Sequence, residues 1–197
     1  MHVLNYIKAK DFKVLISAAQ FRESVVGSAL ARKYNFLFQP SPHSAKKDHA
    51  KTCDYGLIDP IHSRAYRVEQ QDCFHLESLD GKFAFELNTH DDDGSVRPGK
   101  LRYCDADKFV YNAPKLEILF IFDWIPIKDL ILDLYDQDQV DLISYDRSSW
   151  SHDSCPIDLI LVNASILLAD KSVKYFSYKE LNLPNIFFKT YDKPKQN

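Results

Sequence analysis

A chain of 197 residues with 45% hydrophobic and 13% aromatic side chains is long enough to bury one real core and too apolar to be disordered. Its net charge of −3 at pH 7 advertises no global basic field, so any contact with nucleic acid has to come from a locally basic face. Four scattered cysteines, Cys53, Cys73, Cys104 and Cys155, form no CxxC pair, which argues against zinc and for a reduced, cytoplasmic protein.

The N-terminal stretch MHVLNYIKAKDF has no apolar h-region. The most apolar run, Leu116 to Ile127, is interrupted by Glu117, Asp123 and Pro126, so no membrane span is expected. The first predicted element is a helix from Ser17 to Tyr34, rich in Ala, Arg and Glu, with Gly27 as its weak point. Glu23, Val26, Leu30 and Tyr34 fall at i, i+3, i+7 and i+11 on one side of it. An acid on that mainly apolar stripe is either a rim residue or aimed at a site. A loop from Gln39 to Lys51 follows and carries His43, Lys46, Lys47, His49 and Lys51, a basic patch suited to phosphate or simply a solvated charge run.

Next come two short strands, Asp54–Ile58 and Ala65–Gln71, joined through Asp59-Pro60-Ile61-His62-Ser63. In an antiparallel hairpin the start of one strand lies beside the end of the other, so Asp54 and Glu69 come out at the same end. Glu69 and Gln71 share a face because side chains alternate with period two. Converging carboxylates repel unless a cation joins them, which suits a hard metal ion; a surface hairpin with solvated acids is the alternative. Lys82–Asn88 then alternates as a strand containing Glu86. A loop runs from Thr89 to Gly99, a short strand covers Lys108–Tyr111, and a buried strand covers Lys115–Asp123. Pro126 opens a helix from Ile127 to Tyr135. Asp158–Leu168 fits either a strand or a buried helix, the polar segment Ser148–Asp153 is a connection or a binding loop, and the tail from Pro184 is expected to be mobile. The organisation expected is a core over residues 1–140 with a C-terminal extension, 141–197, packed on the same domain.

The order helix-Glu23, strand-Asp54, strand-Glu69-Gln70-Gln71, strand-Glu86 and a strand after Asp107 resembles the PD-(D/E)xK nuclease superfamily, in its Holliday-junction-resolvase-like, phage-type or restriction-endonuclease-like branches. The resemblance covers roughly residues 17 to 125 and is one of pattern. It implies an α/β fold, a restriction-endonuclease-like mixed central β-sheet flanked by helices. It further implies that Glu23, Asp54 and Glu69 gather around Mg²⁺, with Mn²⁺ as substitute, and that the protein is a DNA endonuclease hydrolysing phosphodiester bonds. The chain departs from the pattern at Gln71, where the superfamily has lysine, and at Cys53, where it has proline.

Gln71 can hydrogen-bond a water but supplies no positive charge. Lys51, and after it Lys47, is the expected replacement. Lys46, Lys47, Lys51, Arg97, Lys100 and Arg102 are the expected phosphate contacts to DNA, and a homodimer is implied because cutting two strands usually takes two sites. The competing expectation is a weak or inactive nuclease-fold protein that binds DNA or serves in an assembly such as a phage particle or recombination complex. No GxSxG elbow and no glycine-rich phosphate loop supports a different chemistry.

Overall fold

The computed structural model describes residues 12–40, 53–73, 76–91, 93–145 and 156–184. A long helix, α1 (Phe12–Tyr34), starts earlier than its composition predicts and leads into strands β1 (Leu37–Pro40), β2 (Tyr55–Asp59) and β3 (Arg64–Asp72). Then follow β4 (Lys82–His90), β5 (Val96–Pro98), the short helix α2 (Lys100–Tyr103), β6 (Lys108–Ala113), β7 (Ile118–Asp123) and α3 (Trp124–Asp136). The chain continues with β8 (Asp141–Tyr145), β9 (Ile157–Asn163), α4 (Ala164–Leu168), β10 (Val173–Ser177) and α5 (Tyr178–Leu181). The ambiguous run 158–168 is therefore both things in turn, the strand β9 and then the helix α4. None of the described helices is long and apolar enough to cross a membrane.

The strands form two sheets. The larger has the order β1-β2-β3-β6-β7-β10 and is mixed, because β3 and β6 run parallel while its other pairs are antiparallel. The smaller, β5-β4-β9-β8, is antiparallel throughout. The expected mixed central sheet is thus present. One face is covered by α1 and α5, and the other by the second sheet together with α3 and α4.

Alternation along the central strands decides which residue joins which layer. In β6 and β7, Val110, Leu119 and Ile121 turn toward α1, while Phe109, Tyr111, Phe120 and Phe122 turn toward β4 and β9. Residues after 140 supply β8 and β9 to the smaller sheet and β10 to an edge of the larger.

Gly27, a weak point for helix propensity, has a packing reason. A Cβ there would lie 2.4 Å from the Phe38 ring, so glycine lets β1 close onto α1.

Candidate functional site

The hairpin aligns as its sequence predicts. Tyr55 pairs with Val68, and the Asp54 N–H donates to the Val68 carbonyl at 2.9 Å. Where the β2 ladder stops, the side chain of Asp54 continues it: its Oδ2 accepts the Gln70 N–H at 2.7 Å. That bond pins one carboxylate oxygen beside Glu69, the residue preceding Gln70. Glu69 is buried, on the face of β3 that looks toward the second sheet, in register with Phe109.

The cation at this spot comes from an element that hairpin reasoning does not reach. Lys100, the first residue of α2, bonds Glu69 Oε1 through its Nζ. Two features of β4 deliver it. The register of β4 on β9 shifts between Glu86 and Asn88, and Gly99 packs on that irregularity, its N–H donating to the Leu87 carbonyl at 2.8 Å. A Cβ on Gly99 would meet the Glu86 carbonyl at 2.6 Å, so only glycine permits so close an approach of the chain just before Lys100. Burial alone would push the Lys100 pKa down, but Glu69 and Asp54 outweigh it and hold the ammonium above its ordinary value. Lys100, expected among the phosphate contacts, has its side chain tied to Glu69 because the β4 irregularity and Gly99 aim it inward.

Glu23 reaches the same cluster from α1. Its pKa is raised to about 7, first by burial and then by the negative charges of Asp54, Asp72 and Glu69, with Lys100 opposing. Glu69 is likewise raised by burial, with Lys100 pulling it down and Asp54 pushing it up. The three acids singled out in the sequence are therefore close enough for their charges to act on one another.

A fourth acid, Asp72, joins them and has a different part. Its Oδ2 accepts from Arg22 Nε at 2.5 Å and its Oδ1 from Asn112 Nδ2 at 2.8 Å, so it clamps α1 and β6 to the end of β3. Asn112 in turn accepts from the buried Tyr178 hydroxyl at 2.5 Å. Neither Asp72 nor Lys100 was legible as a member of the carboxylate cluster, because each is recruited by pairing partners 50 or 31 residues away in the chain.

The remaining expected residues divide as follows. Gln71 shares its face of β3 with Glu69 and donates from its Nε2 to the Ala84 carbonyl on β4 at 3.3 Å. Arg97 is exposed and bonds Asp91 at 2.5 Å, and Arg102 is exposed. Glu86 accepts from Thr89 at 2.9 Å. Lys46, Lys47 and Lys51, the segment Ser148–Asp153 and the tail beyond Pro184 lie outside the described residues.

The Tyr103 hydroxyl stands at the rim of the cluster. Burial raises its pKa, and Glu69 and Glu86 add to this against Lys100, so it stays protonated and available as a donor. Burial also raises the nearby Cys104 thiol to about 11 and keeps Cys53 above its ordinary range, so neither is an activated nucleophile. Among the described residues, no group of three or more His, Cys, Asp or Glu side chains stands in an arrangement that would hold a metal ion.

The raised Glu23 pKa makes a stability prediction. An acid with a folded-state pKa above its unfolded value stabilises the fold below pH 4.5, and that contribution is lost as pH rises through 7. Glu23→Gln is expected to flatten this loss and to make the metal-free protein more stable than wild type at pH 8. The gain expected is on the order of 1–2 kcal/mol, discounted for partial solvent screening. Urea denaturation at pH 5 and pH 8 checks it; a variant less stable than wild type at pH 8 would refute it.

No family model, no characterised protein and no solved structure matches this chain.

Proposed function

We propose that the chain is a metal-dependent DNA endonuclease of the PD-(D/E)xK type, in which Lys100 takes the part of the lysine missing at position 71. The observation that carries this reading is the Lys100–Glu69 ion pair beside Asp54, with Glu23 approaching from α1. It supplies a cation to the acid of the Glu69-Gln70-Gln71 tripeptide from a different backbone position.

The donor chemistry, though not a ready-made three-ligand arrangement among the described residues, is that of a hard divalent cation. Asp54, Glu69 and Glu23 offer only oxygens, and their mutual repulsion marks a shortage of positive charge there. Mg²⁺ needs only one or two carboxylates because it keeps several of its waters, so Asp54 and Glu69 would hold it and Glu23 would reach it directly or through water. The ion would lower the pKa of a bound water and neutralise charge on the phosphate.

The chain's own residues do the rest. With Glu69 engaged by the ion, the Lys100 ammonium would be free to donate to a non-bridging phosphate oxygen as negative charge grows. Glu23, held ionised by the nearby ion, would accept a hydrogen bond from the attacking water. Tyr103 donates from the rim. Asp72, held by Arg22 and Asn112, keeps α1 at the distance this arrangement needs.

A second reading, a nuclease-fold protein that binds DNA or serves in an assembly without cutting, is favoured by Gln71 being tied to Ala84 and by Glu69 being already paired. Cleavage of branched, nicked and linear DNA with Mg²⁺ or Mn²⁺ separates the two. Wild type is expected to cleave, and Asp54→Ala and Glu69→Ala to lose at least about 100-fold of that activity. Mn²⁺ is expected to raise the melting temperature of wild type and not of Asp54→Ala. Cleavage that survives both substitutions sinks the site, and absence of both cleavage and a Mn²⁺ shift selects the second reading.

A further inference from the structure

On the α1 side of the larger sheet lies a cavity of about 230 Å³, between the C-terminal half of α1 and strands β2, β3, β6 and β7. Its floor is aliphatic, with Leu30, Leu57, Val68 and Val110, and its walls are the rings of Tyr34, Phe36 and Tyr66. The chain builds these walls by a tight reversal. Asn35 sits in the left-handed region at φ 58°, and Phe36 returns its N–H to the Ala31 carbonyl at 2.8 Å. The reversal sets Phe36 flat against Tyr34 at 5.6 Å, and Tyr66 flat against Phe36 at 5.7 Å.

The mouth of the cavity is basic, although the whole chain is acidic. Lys108 and Lys174 line it, the latter exposed and cross-strand from Ile121 on the same face. The Arg64 guanidinium lies 4.7 Å from the Tyr66 ring centre and Lys33 lies 4.9 Å from that of Phe176, which meets Tyr34 edge-on. Against these four cations stands Asp123, bonded to Lys108. Asp123 also helps burial keep the Tyr34 hydroxyl protonated.

Resting on the endonuclease reading above, we infer that this cavity takes one unstacked base of single-stranded DNA, with Lys108, Lys174, Arg64 and Lys33 on the flanking phosphates. Three features argue for a base rather than an aliphatic chain. The walls are stacked aromatic rings, which attract a flat π-surface regardless of sequence. The rim pairs donors (Lys108, Lys174, the Tyr34 hydroxyl) with an acceptor, Asp123, as the edge of a base requires. The surrounding charge is that of a phosphate-tracking groove. Tyr34 and Glu23 belong to the same stripe of α1, eleven residues and so about 16 Å apart along the axis. The substrate class this assigns is DNA with an unpaired segment next to the cut, such as a flap, fork or branch.

The test uses the full chain in EDTA, with a short oligodeoxynucleotide carrying 2-aminopurine, presented as single strand and as blunt duplex. Fluorescence anisotropy is expected to show the single strand bound about tenfold more tightly than the duplex, with quenching of 2-aminopurine on binding. Tyr34→Leu is expected to remove the quenching and about tenfold of the affinity. Lys174→Gln, an exposed change that leaves the backbone pairing of β10 intact, is expected to lower the slope of affinity against salt by about one. Equal binding of duplex and single strand, no quenching, or variants that bind like wild type would overturn the inference. Asp54→Ala separates it from the nuclease reading. Pocket-dependent binding without any cleavage by wild type defeats that reading alone, whereas cleavage with binding indifferent to Tyr34 and Lys174 defeats this inference alone.

Discussion

Lys100→Met is expected to lose cleavage by at least about 100-fold in Mg²⁺ while keeping the volume of the lysine stem, because it removes one pre-positioned donor from the reacting phosphate. The same change is expected to lower stability. Glu69 has only 9% of its side chain exposed, and losing Lys100 removes the cation that offsets its burial and the charge of Asp54. Breaking a fully buried pair costs about 3–5 kcal/mol; here a third of the Lys100 side chain meets solvent, so about 2 kcal/mol is the expected loss at pH 8.

The loss is expected to shrink at low pH. Without the ammonium, the Glu69 pKa rises further, and a raised acid stabilises below its unfolded pKa and ceases to do so as pH climbs through its folded value. Mn²⁺ is expected to restore more melting temperature to Lys100→Met than to wild type, since the ion supplies the missing charge. Thermal melts at pH 5 and pH 8, with and without Mn²⁺, read all three effects. Wild-type cleavage by Lys100→Met would remove Lys100 from the proposed chemistry.

Phe83→Ala is expected to destabilise the fold more than Lys100→Met does, by about 3–5 kcal/mol, or roughly 10 °C in melting temperature. The Phe83 ring is fully buried between the two sheets and meets Tyr111, Phe120 and Phe122 edge-on at 4.8, 5.0 and 5.4 Å. Truncation leaves a cavity lined by rigid rings that cannot collapse into it, and it forfeits the edge-to-face contacts.

The effect is expected to spread to the cluster. Ala84, the next residue, accepts from Gln71, and further along β4 Glu86 and Leu87 form the seat for Gly99 and hence for Lys100. Loosening β4 therefore weakens the delivery of Lys100 to Glu69. Urea denaturation measures the stability, and the pH dependence of that stability reports whether Glu69 has lost its partner. A loss below about 1 kcal/mol would mean that the layer between the sheets repacks freely.

Much of the local structure follows from short-range patterns. The α1 stripe of Glu23, Val26, Leu30 and Tyr34, the hairpin that brings Asp54 beside Glu69, and the buried β7 run are all set by helical or alternating periodicity. The same rules put Glu69 and Gln71 on one face. They are blind to what that face meets. The layer opposite them is another sheet, and there Gln71 donates its amide N–H to the Ala84 carbonyl.

By itself, the amino-acid sequence determined a mixed α/β chain with a helix acid, a hairpin aspartate and a strand glutamate in order, because each of these depends on neighbours a few residues apart. The tertiary structure decided the rest. The second sheet, the clamp of Asp72 by Arg22 and Asn112, and above all the arrival of Lys100 at Glu69 depend on segments tens of residues apart finding one another. In Lys100's case a strand irregularity and a glycine with no room for a Cβ set the approach, and no periodicity encodes that.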